Sequence, residues 1–349
     1  MDFGRVIGEA WRITRKAAAL RVLGLFSAIQ LALYMVIVGL VVVPMSILTQ
    51  LLVTTSSPAR SESAIAQREA LATGALTVSS WLSSHGVLIF GGLGMLLAAW
   101  AVFGVLDVAA TGGVIAQTDV VTRGGRASVP TGLREGFRVW WRTAGLVAIS
   151  ALPSLLFMFA GAVLTLFAIT LPLAAGRAPD GGLLRLGNLL TAPLSTLVTL
   201  LNIPLTILVA LGLRFAILDG LHWRAALVRA WDLARSNLAD VALLYLIIMG
   251  ILIAASLACA AATLVVVFAG ALAGGLAYAT GATATSAPMI SIAVITGLVL
   301  LAGYLLFVVI VVVWQSVTWT VFWRRLTAPA PVPVTDGASG LPHEEGAAV

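Results

Sequence analysis

The sequence predicts an all-α integral membrane protein, built as a six-helix transmembrane bundle with three amphipathic interfacial helices on the cytoplasmic side. Of the 349 residues, 60% are hydrophobic and only 10% are charged, and the mean hydropathy is +1.08. Soluble domains carry about 25% charged residues. This composition therefore excludes a soluble enzyme and a free nucleic-acid-binding domain. The lengths of the apolar segments and the positions of the arginines supply the rest of the prediction.

Six segments are long and apolar enough to cross a bilayer, which takes about 20 residues. The first charge-free stretch, 22–59, is much longer than the ~7–15 apolar residues of a signal peptide. The last, 241–323, has room for two crossings joined by a Gly-, Ala- and Thr-rich turn at 273–287. The predicted spans are residues 23–52, 87–110, 145–173, 189–213, 241–270 and 290–321.

The remaining segments are assigned to loops and to a tail. Residues 54–85 are predicted to form a long outer loop, with a short surface helix at 62–72. The membrane domain covers residues 1–327. Residues 328–349 are rich in Ala, Pro and Gly, and they are predicted to form a disordered cytoplasmic tail.

The basic residues divide unequally between the two sides that six spans create. Sixteen of the 20 lysines and arginines fall in the N-terminal segment, the second and fourth loops and the C-terminal segment. Cytoplasmic loops carry an excess of these residues. Both termini are therefore predicted to be cytoplasmic, in a protein of the bacterial cell membrane. The net charge of +6 is assigned to contact with anionic phospholipids and not to nucleic acid.

Three stretches, each just before an outward-going span, share a small residue followed by an aromatic one. Apolar residues in these stretches recur at helical spacing, and arginines fall on another face. A helix of this kind lies in the headgroup plane. The sequence thus predicts one unit, an interfacial helix followed by an out-and-back helical pair, used three times. The three dipeptides are Ala10-Trp11, Gly136-Phe137 and Ala230-Trp231.

The cationic and aromatic residues of these stretches are candidates for binding lipid headgroups or a partner protein. Guanidinium groups bind phosphate, and aromatic rings settle at the membrane interface. The alternative is that both sets only anchor the ends of the spans. The candidate headgroup-binding residues are Arg134, Arg138, Arg142, Arg229 and Arg235. The candidate interfacial anchors are Trp11, Phe137, Trp140 and Trp231.

A few polar residues inside the spans are further candidates, because ionisable groups within a membrane often serve a function. Asp107 and Arg214 each lie near the cytoplasmic end of an inward-going span. They either pair across the bundle or reach headgroups and water separately. Asn202 stands two residues before Pro204, and a broken helix of this kind lines the substrate path in some transporters.

Longer motifs at three places carry a resemblance to a known family. They are RFAILDGL at 214–221 with ALVRAWDLARSN at 226–237, FGxxIGxAW at 3–11, and FWRRL at 322–326. The chain resembles bacterial and archaeal multi-helix membrane proteins related to the membrane domain of glycerophosphoryl diester phosphodiesterases. The resemblance covers about residues 1–327 and implies a six-helix membrane domain. It brings no catalytic activity, because the phosphodiesterase of that family is a separate soluble barrel with acidic metal ligands.

The sequence contains no motif that indicates a cofactor, a metal or catalysis. The single cysteine, Cys259, cannot form an internal disulfide, and neither a CxxC motif nor a Cys/His cluster is present. We therefore expect a non-enzymatic structural or accessory protein that binds lipid headgroups or a membrane-protein partner at its cytoplasmic face. The alternative is a transporter or permease for a hydrophobic or lipid-like substrate. A third class is an enzyme that uses Asp107.

Overall fold

A computed structural model describes residues 1–56, 62–174, 181–281, 283 and 286–328. The described chain is all-helical, and its helices follow one another with short connections. Residues 329–349, which include nearly all of the predicted tail, lie outside the described part. The helices are α1 (Phe3–Lys16), α2 (Ala18–Ser56), α3 (Glu62–Thr122), α4 (Val129–Arg138), α5 (Trp140–Ala174), α6 (Gly181–Leu218), α7 (Trp223–Ser236), α8 (Leu238–Ala279) and α9 (Ala287–Thr327).

Six of these helices are long and apolar enough to cross a membrane, which confirms the predicted number of spans. Each predicted span lies within one of the six long helices, although the helices extend further at both ends. The membrane-compatible segments within them are Ala18–Leu40, Gly91–Thr122, Trp140–Gly161, Pro193–Leu218, Leu238–Ala279 and Ala287–Thr327.

The predicted outer loop at 54–85 is wrong over most of its length. Helix α3 begins at Glu62 and runs without interruption for 61 residues. The sequence offers nothing to end it, because no proline occurs between Pro58 and Pro130. Good helix formers such as alanine, glutamate and glutamine continue the helix where the strongly apolar signal stops. The hydropathy pattern therefore predicts the apolar segment of α3 and does not predict the helical residues on either side of it.

The helices repeat as three units, each made of one short helix and two long ones. The units are α1–α2–α3, α4–α5–α6 and α7–α8–α9. In every unit a single residue separates the short helix from the first long one. These junction residues are Ala17, Val139 and Asn237. The three-unit order predicted from the sequence therefore corresponds to the observed order of helices.

Contacts between units close the fold into a ring. The second long helix of each unit (α3, α6 or α9) is called here its exit helix. Short helix α4 packs on exit helix α3, α7 packs on α6, and α1 packs on α9. The three exit helices also contact one another. The first and last units therefore meet through α1 and α9.

The buried residues lie at one end of the bundle, called here the capped end, where α1, α4 and α7 are found. Burial on the long helices, where it is described, is confined to residues 20–28, 109–118, 143–146, 209–216, 241–248 and 308–323. Beyond this region, large apolar side chains such as Phe159 and Leu264 are about 70% exposed in the isolated protein. A lipid environment accommodates such surfaces, since acyl chains are as apolar as leucine.

The contact between α3 and α4 brings two backbones together through glycine. A Cβ atom placed on Gly136 would lie 2.7 Å from the carbonyl carbon of Ala109. One placed on Gly113 would lie 2.6 Å from the carbonyl oxygen of Gly132. Real Cβ atoms do not approach backbone atoms this closely, so side chains at these positions would force the two helices apart.

We expect Gly136→Ala to destabilise the protein by about 1–3 kcal/mol, the usual cost of overpacking a close contact. The measurement is the thermal unfolding midpoint of the detergent-solubilised protein. Gly250→Ala in α8 is the matched control, because nothing lies within 4 Å of its added Cβ. If both variants unfold at the wild-type temperature, the close contact between α3 and α4 is not a source of stability.

Candidate headgroup-binding surface

The three short helices bury their small residue and expose the aromatic residue that follows it. Ala10, Gly136 and Ala230 are buried. Consecutive helical residues point about 100° apart, so burying the first turns the second outward. The exposed residues, called here the aromatic triad, are Trp11 (50% exposed), Phe137 (47%) and Trp231 (53%). Three predicted anchors therefore occupy equivalent positions in the three units.

Trp140, the fourth predicted anchor, has a different environment. It is half-buried at the start of α5, and its indole Nε1 donates a hydrogen bond to the carbonyl oxygen of Val105 at 3.1 Å. Trp140 thereby ties α5 to α3. The neighbouring Trp141 is 81% exposed and is the ring that sequence reasoning missed. The helix is interrupted at Val139, so the periodicity of α4 does not continue into α5. A single periodicity applied to both helices therefore assigns Trp140 and Trp141 to the wrong faces.

The predicted arginines fall into two groups. Arg134, Arg229 and Arg235 are exposed. Arg138 forms an ion pair with Glu135 at 2.7 Å on the helix surface, and 74% of its side chain stays accessible. Arg142 is partly buried, and its Nη1 atom donates to the carbonyl oxygen of Gly220 at 2.6 Å. Arg142 thus fixes the connection between α6 and α7, while the other four are accessible.

The connection between α6 and α7 has a turn conformation that requires glycine. Gly220 has a φ of +69°, which lies in the left-handed region. Beside it, burial raises the pKa of the Asp219 carboxyl, and the positive charge of Arg229 opposes that rise. Asp219 and Arg142 therefore place one acidic and one basic group at this turn.

Ion pairs connect the first and last helices to their neighbours at the capped end. The Arg325 guanidinium of α9 binds the Glu9 carboxylate of α1 at 2.8 Å. Arg324 lies 3.6 Å from Asp119 of α3 and also donates to Thr122. The basic end of α9 is therefore fixed to both α1 and α3, and these contacts reinforce the ring.

The structure does not bring Asp107 and Arg214 together. Asp107 accepts a hydrogen bond from the Ser27 hydroxyl of α2. Arg214 is only 3% exposed, so it does not reach headgroups either. Its Nη2 atom donates to the carbonyl oxygen of Ser316 at 2.7 Å, its Nε atom lies 3.4 Å from the Thr320 hydroxyl, and its Nη1 atom donates within α6. The predicted pair is replaced by two separate contacts.

The residues of the predicted substrate path also have a structural use. The Asn202 amide of α6 donates to the Ser154 hydroxyl of α5 at 3.3 Å, which links the two long helices of the second unit. Pro204 lies inside α6, which continues through it. Among the described residues, two buried polar atoms without a hydrogen-bond partner are found elsewhere, Oε1 of Gln30 in α2 and Nε1 of Trp323 in α9.

Within the described residues, no group of three or more His, Cys, Asp or Glu side chains is placed to hold a metal ion. Comparison of the chain with protein-family models, with curated proteins and with solved structures found no match.

We expect Arg214→Lys to destabilise the bundle, since one ammonium group cannot reach acceptors on α6 and α9 together. The expected loss is about 1–3 kcal/mol, the cost of leaving buried polar groups unsatisfied. Thermal unfolding in detergent measures it. Arg229→Lys is the control, because that side chain is exposed and the exchange keeps its charge. Equal unfolding temperatures for the two variants would contradict the role given to Arg214.

The separate partners of Asp107 and Arg214 predict the result of a charge exchange. Asp107→Arg and Arg214→Asp should each lower the folded yield. Their combination should fail to restore the yield, because neither group faces the other. The measurement is the monodisperse fraction after size-exclusion chromatography. Recovery of the wild-type yield in the double variant would show that the two charges do interact.

Proposed function

We propose that this chain is a non-enzymatic, multi-pass protein of the cell membrane that acts as a structural or accessory component. In this proposal the capped end faces the cytoplasm and binds anionic phospholipid headgroups. The observation that carries the proposal is the aromatic triad, Trp11, Phe137 and Trp231, exposed at equivalent positions in three units. A partner membrane protein is the second class of ligand that such a surface accommodates.

Physical chemistry supports a bilayer interface as the environment of the triad. Aromatic side chains concentrate at the headgroup level, where their rings meet both lipid and water. Three rings at the corners of one end would fix the depth of the bundle and resist tilting. Arg134, Arg229 and Arg235 are exposed on two of these short helices, α4 and α7, where phosphate groups of anionic lipids would be within reach.

The distribution of charge supports the proposed orientation. Sixteen of the 20 basic residues belong to segments that six spans place on one side. The short helices of all three units belong to those segments. Both termini are cytoplasmic in this proposal, and the exposed arginines face the anionic lipids of the inner leaflet.

We also propose kinship with the membrane-domain family that the sequence motifs resemble. The motifs at 214–221 and 226–237 cover the end of α6, the Gly220 turn and α7. The first motif contains both the buried Arg214 and the Gly220 turn, and the second contains Trp231 of the aromatic triad. The kinship supports a membrane domain and assigns no reaction.

The test is to count anionic lipids that remain bound. The protein is reconstituted in nanodiscs of phosphatidylcholine and phosphatidylglycerol, extracted in mild detergent and examined by native mass spectrometry. We expect a variant with Arg134→Gln, Arg229→Gln and Arg235→Gln to retain several-fold less phosphatidylglycerol, because each arginine near the surface contributes about 1 kcal/mol of attraction to anionic lipid.

The matched control carries Arg68→Gln, Arg177→Gln and Arg185→Gln, the same charge change in segments that six spans place on the opposite side. The proposal requires that the control retain the wild-type amount of phosphatidylglycerol. Equal losses in the two triple variants would contradict it. A stoichiometric protein partner in the same spectra would identify an accessory role, whereas a small apolar molecule lost in Asn202→Leu would favour the transporter alternative.

A further inference from the structure

A cleft of about 410 Å³ opens at the seam where α1 packs on the end of α9. Its walls are Arg5, Gly8, Glu9 and Arg12 of α1 and Arg325 of α9. Three guanidinium groups and one carboxylate give the cleft a formal charge of +2. None of these arginines belongs to the headgroup-binding set described above, so the cleft is a separate feature of the capped end.

The sequence of α1 places the charged residues of the cleft on one face. Arg5, Glu9 and Arg12 follow one another at spacings of four and three, which aligns them along a helix. Arg5 and Arg12 are therefore about 10 Å apart along the axis, a gap that two arginine side chains can close from either end. Gly8 leaves open space between them, since a Cβ atom there would meet nothing within 4 Å.

The three arginines differ in whether they form an ion pair within the protein. Arg325 is paired with Glu9 at 2.8 Å, and Arg5 is paired with the exposed Asp2 at 3.0 Å. Arg12 has no ion pair and no hydrogen bond with any described residue, although it lines the cleft. A guanidinium left without an anion in a concave, positively charged site is available for a ligand.

We propose that this cleft binds a phosphate group, with Arg12 and Arg5 as its principal donors and Arg325 at its side. Arginine forms paired N–H···O bonds with phosphate oxygens, and the geometry favours it over lysine. A phosphate monoester carries close to two negative charges, which complement the excess of positive charge in the cleft. The volume lies at the lower end of the range for small-ligand sites, about 300–1,000 Å³, and suits a headgroup-sized molecule.

The phosphate has two sources with the same chemistry, a phosphomonoester lipid such as phosphatidic acid and a free phosphorylated molecule. The inference goes beyond the proposed function, because it assigns a discrete site at other residues. It stands even if the aromatic triad and its neighbouring arginines bind a protein partner and no lipid.

The experiment uses the full chain in phosphatidylcholine nanodiscs that contain a small fraction of phosphatidic acid. Native mass spectrometry counts the phosphatidic acid retained, with and without millimolar inorganic phosphate as a competitor. Arg12→Gln should lower retention about tenfold, as expected for the loss of one charge-assisted contact. Gly8→Leu should lower it similarly by filling the cleft, although it leaves every charge in place.

Arg15→Gln is the matched control, because Arg15 is exposed on the same helix and does not line the cleft. Retention in this variant should equal the wild-type value. Retained phosphatidic acid that phosphate does not displace identifies a lipid ligand. Direct binding of inorganic phosphate, weakened by Arg12→Gln, identifies a soluble one.

Three results would overturn the proposal. The first is that neither probe binds the wild-type protein. The second is that Arg15→Gln weakens binding as much as Arg12→Gln, and the third is that Gly8→Leu leaves binding unchanged. The second and third results would mean that the overall positive potential attracts phosphate without a cleft. All variants are compared at matched thermal stability. The count of phosphatidylglycerol under the proposed function depends on other arginines, so the two proposals can fail independently.

Discussion

The packing of each short helix on the exit helix of another unit is the contact on which the rest of the bundle depends. A short helix has one buried face, and the pair of long helices in its own unit does not cover that face. Helices α4 and α7 pack on exit helices α3 and α6, which leaves α9 to cover α1. The fold is therefore complete only when its first and last helices meet, and Glu9 and Arg325 lie at that meeting point.

Much of this architecture could be predicted from the sequence, because apolar length and helical periodicity are local signals. The six spans follow from length, and the three units follow from the repeated pair of a small and an aromatic residue. Ring closure could not be predicted, since periodicity shows that a face is buried and not what buries it. For the same reason the sequence places Ala10 in a pattern, while the packing of α1 on α9 is seen only in the structure.

The residues of the candidate surface also differ in whether local sequence predicts their environment. Exposure of Trp11, Phe137 and Trp231 follows from the pattern within each short helix. The environments of Arg142 and Arg214 depend on backbone oxygens far away in sequence, at Gly220 and Ser316. No spacing rule predicts such contacts. Arginine donates hydrogen bonds to carbonyl oxygens as well as to phosphate, so its position near a span end is the same for a structural role and for a binding role.

The two roles meet at Arg325. Its guanidinium closes the ring by binding Glu9, and it also lines the cleft proposed for phosphate. A phosphate drawn toward Arg12 competes with the Glu9 carboxylate for this one cation. The ligand and the seam are therefore linked through a single side chain, because phosphate and the Glu9 carboxylate share Arg325. An arginine far from the seam makes no contact there, so an anion bound to it is not linked to ring closure. This difference separates the cleft from the rest of the positive charge at the capped end.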